Sequence, residues 1–99
     1  MKIKLKDFQD MEKFFYGPNA DRDFIYKNIH KSVEKAIINN LEEVLFCNVT
    51  FENGDESIDM TLHKEEYSKS LDNVLKWYES TDQFEKCIHV QTLKKRIDE

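Results

Sequence analysis

Glycine and proline are nearly missing from this 99-residue chain, with two and one copies respectively. That scarcity excludes a linker-rich, collagen-like or disordered molecule. Two isolated glycines, Gly17 and Gly54, cannot build a P-loop or a dinucleotide fingerprint, which need clustered glycines for close backbone approach to phosphate. Cysteine is almost as rare. Cys47 and Cys87 stand far apart and form no C-x-x-C pair, so neither a disulfide framework nor a sequence-local zinc motif is expected. Arginine is reduced to Arg22 and Arg96 among 15 basic residues. Bidentate reading of guanine or phosphate prefers arginine, so direct sequence-specific nucleic-acid binding is not expected. No hydrophobic run has the length of a membrane span, and the first ten residues lack the apolar core of a leader. A reducing, cytoplasmic setting without membrane contact is the resulting expectation.

What is present suits one α+β domain over residues 1–99. The chain is 39% hydrophobic and 12% aromatic, enough for a single core. Asn53-Gly54 is the strongest local signal, because this dipeptide readily takes the left-handed φ of a type I′ turn. Strands over 43–52 and 55–63 then pair as Thr50/Ser57, Val49/Ile58, Asn48/Asp59, Cys47/Met60, Phe46/Thr61 and Leu45/Leu62. Alternate pairs share a face. Leu45, Cys47, Val49 and Phe51 fall with Ile58, Met60 and Leu62 on an apolar face. Asn48, Thr50, Ser57, Asp59 and Thr61 fall on a polar one, and uninterrupted alternation puts Val44 and Phe46 beside them.

The remaining elements follow from periodicity. Ile3 and Leu5 alternating with lysines read as a short edge strand over 2–6 in a small antiparallel sheet. Asp7 caps a helix over 8–16 that ends at Gly17-Pro18. Asn19 or Asp21 starts a helix to about Asn40, with a stripe of Ile25, Ile29, Val33, Ala36, Ile37 and Leu41, and Asn39-Asn40 closes it in left-handed geometry. Tyr67, Leu71, Val74, Leu75 and Tyr78 mark a third helix, with Trp77 on its flank. Ser80-Thr81-Asp82-Gln83 has the form of a capping box for a fourth helix over 81–97, which makes a terminal αα-hairpin. One long bent helix over 64–97 is the alternative.

Charge is segregated. Residues 41–63 contain Glu42, Glu43, Glu52, Asp55, Glu56 and Asp59 with no lysine or arginine. The full net charge is −5, so the whole negative balance belongs to the hairpin and its approach. The candidate binding surface is therefore Glu52, Asp55, Glu56 and Asp59 at the hairpin's tip and outer face, with Val44 and Phe46 as an apolar pair beside them. Such a surface suits a basic protein partner, from which it could displace nucleic acid. A merely solubilising sheet face, with Phe46 covered by a neighbouring segment, is the plainer alternative.

No catalytic constellation emerges. There is no G-x-S-x-G and no recognisable Cys/His motif. Both thiols fall on apolar faces, as inert buried cysteines do. His30, His63 and His89 read as solvated or capping histidines, and a metal site would need distant segments to meet. The series Asn53, Asp55, Ser57, Asp59 echoes a calcium loop but lacks its sixth-position glycine and twelfth-position glutamate. The aromatics Phe14, Phe15, Tyr16, Phe24 and Tyr26 lack a basic groove, so packing is expected rather than base stacking. No metal, cofactor or catalytic residue is expected, and an enzyme using His63 with Glu65 or Glu66 has no support at this level.

Asp82-Gln83-Phe84-Glu85-Lys86-Cys87-Ile88 resembles the start of the second helix of a UVR motif, the helical hairpin of bacterial excision-repair subunits. Phe84-Glu85 matches its aromatic–acid pair, while Gln91-Thr92 stand in place of the motif's Arg-Asp. The resemblance spans residues 65–97 and implies non-catalytic partner docking or homodimerisation through helices 64–97. The interface residues on that reading are Trp77, Phe84, Ile88 and Leu93. As a small acidic chain of lysine-rich, arginine-poor composition, it also resembles in style the accessory inhibitors that bacteriophages use against host enzymes.

Overall fold

The computed structural model describes residues 1–52 and 56–98. The elements are β1 (Lys2–Leu5), α1 (Phe8–Tyr16), α2 (Arg22–Ile38), β2 (Glu43–Phe51), β3 (Ser57–His63), a 3-10 turn (Lys64–Glu66), α3 (Tyr67–Ser80) and α4 (Phe84–Ile97). The fold is α+β, with a three-stranded sheet in the order β1-β2-β3. The Asn53-Gly54 turn and Asp55 lie outside the described residues. β2 and β3 are antiparallel, and Thr50↔Ser57, Val49↔Ile58, Asn48↔Asp59 and Cys47↔Met60 pair as the sequence predicts.

Two features of the sheet depart from expectation. β1 joins β2 in parallel, with Ile3 opposite Val49 and Leu5 opposite Phe51, so the sheet is mixed rather than antiparallel. The chain reverses through α1, α2 and the connection to β2 between these strands, a crossover long enough to permit parallel pairing. The second departure is a β-bulge between Leu45 and Cys47: Leu45 pairs with Thr61, and Val44 pairs with Leu62. Phe46 is the extra residue. A bulge shifts the alternation by one position, so Val44 and Phe46 are buried at 7% and 6% exposure, while Leu45 turns outward at 51%. The predicted outward placing of Val44 and Phe46, and the inward placing of Leu45, are thereby corrected.

The bulge serves packing. Val44 belongs to a core built by α2, α3 and α4 around Val33, Leu71, Val74, Tyr78 and Val90. Phe46, Cys47, Val49 and Phe51 belong to a second core, shared with Ile25 and with side chains of β1 and α1. Phe15 covers Phe46 at a ring separation of 6.4 Å, and Phe8 lies 5.0 Å from Phe51. One strand thus feeds two cores, and the extra residue re-aims it where it passes from one to the other.

The helix ends obey local chemistry. Asp7 Oδ1 accepts from the Asp10 N–H and Asp21 Oδ1 from the Phe24 N–H, capping α1 and α2. Asn40 takes φ 52°, with the Leu41 N–H reaching the Ala36 carbonyl at 2.9 Å and the Asn40 N–H the Ile37 carbonyl at 3.3 Å. That is a Schellman closure at the predicted asparagine. A second one ends α3, with Asp82 at φ 58° and the Gln83 N–H on the Tyr78 carbonyl at 2.9 Å. It makes two helices rather than one bent rod. Ser80 is not an N-cap: its hydroxyl donates to the Trp77 carbonyl within α3, and Gln83 occupies the N-cap position of α4. The left-handed turn at Asp82 pre-empts the predicted capping box.

Candidate functional site

The outer face of the sheet is built by rows that cross all three strands. Lys2, Asn48 and Asp59 form one row, and Lys4, Thr50 and Ser57 the next. Asn48 is the hinge of a polar ladder. Its Nδ2 donates to Asp59 Oδ1 at 2.6 Å, and its Oδ1 accepts from the Thr50 hydroxyl at 3.4 Å. Exposed Leu45 and Thr61 continue the same face beyond the bulge.

Charge divides this face. The lysines sit on β1, and the acids on β2, β3 and the segments between. Glu52, Glu56 and Asp59 are exposed, and among the described residues no lysine, arginine or histidine forms an ion pair with them. At the opposite end Glu43 faces His63 at 3.5 Å and Glu42 faces Lys64 at 3.7 Å. The anionic end is therefore the one towards Glu52 and Glu56. Of the predicted contact residues, Asp59 is on this face, Glu52 and Glu56 are exposed at its end, with Glu56 opposite Phe51, and Asp55 lies outside the described residues. Val44 and Phe46 are in the cores. Leu45 is the exposed apolar residue, and only the bulge, invisible to strict alternation, puts it there.

The alternative interface on α3 and α4 is split. Phe84 and Ile88 stand one turn apart on α4 at 62% and 65% exposure. Leu93 is core at 3% exposure, because it lies on the face of α4 that carries Cys87 and Val90 into the helical core. Trp77 is half-buried, stacked on Tyr26 with ring centroids 5.6 Å apart and donating its indole N–H to Asp23. Leu93 is therefore a core residue rather than a contact residue, while Trp77 keeps part of its ring at the surface.

The histidines differ from expectation in one case. His63 is exposed, and its backbone N–H donates to Glu66 Oε1 at 3.1 Å. His30 is not solvated: it is 8% exposed, with Nδ1 hydrogen-bonded to Tyr78 Oη at 2.9 Å and Nε2 without a partner among the described residues. Burial, helped by the neighbouring His89, lowers its pKa. Its position, three residues before Val33 and four after Tyr26, is the signal that placed it against the core. The ring of His89 on α4 lies 4.8 Å from that of His30 on α2, tilted by 57°, and holds its Nε2 3.6 Å from Glu34 Oε2. His30, Glu34 and His89 offer ligand atoms that all lie within 4.8 Å of one another.

Both thiols are buried, and burial pushes both upward in pKa, which suits structural rather than nucleophilic cysteine. No helix among the described residues is long and apolar enough to cross a membrane. No family model matches the chain, and neither a curated protein nor a solved structure matches it.

Proposed function

We propose that this chain is a non-catalytic protein-interaction module that engages a basic protein surface through the acidic β2–β3 ribbon, along the edge of β3. The observation that carries this reading is the unequal protection of the two sheet edges. An edge strand offers unpaired backbone donors and acceptors, and lysine is a common guard against unwanted pairing. β1 is guarded by Lys2 and Lys4, while β3, seven residues long, carries no lysine or arginine and presents Ser57, Asp59 and Thr61 outward. A cationic segment added beside β3 would gain main-chain hydrogen bonds and meet Asp59 and Glu56. Exposed Leu45 supplies an apolar contact on the same face. A basic patch covered in this way is one that nucleic acid would otherwise occupy, so inhibition of a nucleic-acid-handling protein is the activity this reading implies.

The test compares capture from the source cell by the wild-type chain and by one carrying Glu52→Gln, Asp55→Asn, Glu56→Gln and Asp59→Asn. The expected result is an unchanged melting temperature, loss of one basic partner, and weakening of wild-type capture as salt rises, since exposed charge pairs are screened. Equal capture of that partner by both chains contradicts the proposal.

A second reading rests on Phe84 and Ile88, whose exposure favours docking or self-association through α4 in the manner of a UVR-like helical hairpin. It predicts a salt-insensitive contact, or a concentration-dependent mass in light scattering, abolished by Phe84→Ser with Ile88→Ser.

A further inference from the structure

We infer that His30, Glu34 and His89 form a binding site for a divalent transition metal of the zinc class, bridging α2 and α4. Three independent features converge on it. His30 and Glu34 are one helical turn apart on α2, the spacing that puts two side chains on one face, and α4 brings His89 against them. The separation of His89 Nε2 from Glu34 Oε2, 3.6 Å, is at the upper end of the roughly 3.3–3.6 Å between neighbouring ligand atoms of a tetrahedral centre with bonds of about 2.0–2.2 Å. Finally, His30 Nε2 is a buried nitrogen with no hydrogen-bond partner among the described residues. A buried polar atom without a partner is costly, and the His30 ring belongs to a group whose other two ligand atoms, from an imidazole and a carboxylate, lie within 4.8 Å.

The other nitrogen of His30 supports the same reading. A ligating histidine commonly hands its second N–H to an oxygen acceptor, which fixes tautomer and ring orientation. The tautomer with Nδ1 protonated donates to Tyr78 Oη at 2.9 Å and leaves the Nε2 lone pair available to a metal. Tyr78 is then a positioning residue rather than a ligand. Two imidazoles and one carboxylate suit zinc and its neighbours better than calcium or magnesium, which prefer all-oxygen shells. Three protein ligands leave a fourth position open. His30 closes the inner side of the site, and His89, exposed at the surface of α4, gives an entry path. The function supplied is a pin between the helix that packs on the sheet and the last helix. This site is separate from the acidic ribbon and does not depend on it.

Calorimetric titration of the chelator-stripped full chain with zinc chloride, followed by cobalt substitution and its visible spectrum, tests this. One zinc per chain with a tetrahedral cobalt spectrum is expected. His89→Ala and Glu34→Gln, at solvent-accessible positions, should keep the circular dichroism of the parent and weaken binding by at least about 100-fold. Tyr78→Phe should weaken it by roughly 10–100-fold, the usual effect of losing an outer-shell partner. His63→Ala removes the separate histidine beside Glu43 and should leave affinity unchanged. Absence of stoichiometric uptake, uptake unaltered in His89→Ala, or uptake lost in His63→Ala overturns the assignment.

Discussion

Trp77 donates its indole N–H to Asp23 at 3.0 Å, across 54 positions of sequence. The same Asp23 oxygen accepts from Gln83 Nε2 at 3.0 Å, and the other pairs with Lys27 Nζ at 2.6 Å. One carboxylate therefore ties the first turn of α2 to the last turn of α3 and to the N-cap of α4. Asp23→Ala should leave the half-buried indole N–H and the Gln83 amide without this acceptor, at a cost of about 1–3 kcal/mol. Urea denaturation followed by fluorescence of Trp77, the sole tryptophan, reads this directly. Asp23→Ala should also shift the native emission maximum.

The same carboxylate carries a pH dependence. Lys27, then the hydrogen bonds from Trp77 and Gln83, hold Asp23 well below its ordinary value of 3.8. A carboxylate depressed in the folded state stabilises fully above its unfolded pKa and loses that contribution as pH falls towards the folded value. The stability gap between wild type and Asp23→Asn should thus be flat from about pH 7 to about pH 5 and shrink below about pH 4. Urea midpoints across that range give the answer. A gap that widens on acidification contradicts the assignment.

The bulge at Phe46 makes opposite predictions for adjacent residues. Val44→Glu buries a charge in the helical core and should cost about 3 kcal/mol or more. Leu45→Glu places a charge on the solvated face and should stay within about 1 kcal/mol of wild type. Chemical denaturation of the two variants side by side separates the bulged strand from a regularly alternating one, which would invert the ranking.

Asp82 sits at φ 58°, a conformation glycine adopts without the steric cost a Cβ brings. Asp82→Gly should match or exceed wild-type stability by up to about 1 kcal/mol, and Asp82→Val should lose about 1–2 kcal/mol. Thermal melts of both variants check the sign.

How far the sequence disclosed the molecule depends on whether a feature was local. Asp7, Asp21 and Asn40 act within a turn or two, and their capping roles were readable from residue type and spacing. The Thr50–Cys47 register was readable because both strands carry the same alternation. The burial of Phe46 is not legible because nothing in the alternation of β2 itself marks the extra residue. The demand comes from two cores, one shared with α1 and one with α3 and α4, that meet along β2. The wide apolar face of α4 does not say which part is covered, so periodicity alone cannot separate buried Leu93 from exposed Ile88. His30 reads as solvated from sequence because its partners, Tyr78 and His89, belong to helices far along the chain. Glu34, four residues after His30, became a candidate ligand only when α4 supplied His89. The acidic surface was legible as composition, whereas the lysine-guarded β1 edge and the unguarded β3 edge needed the strand order.

Amide hydrogen exchange of the chain, alone and bound to the basic partner captured from its source, tests the proposed contact most directly. Slowed exchange across Ser57–His63, relieved at raised salt, is the result the acidic-edge account predicts. Protection centred on Phe84 and Ile88, with β3 exchanging as in the free chain, contradicts it.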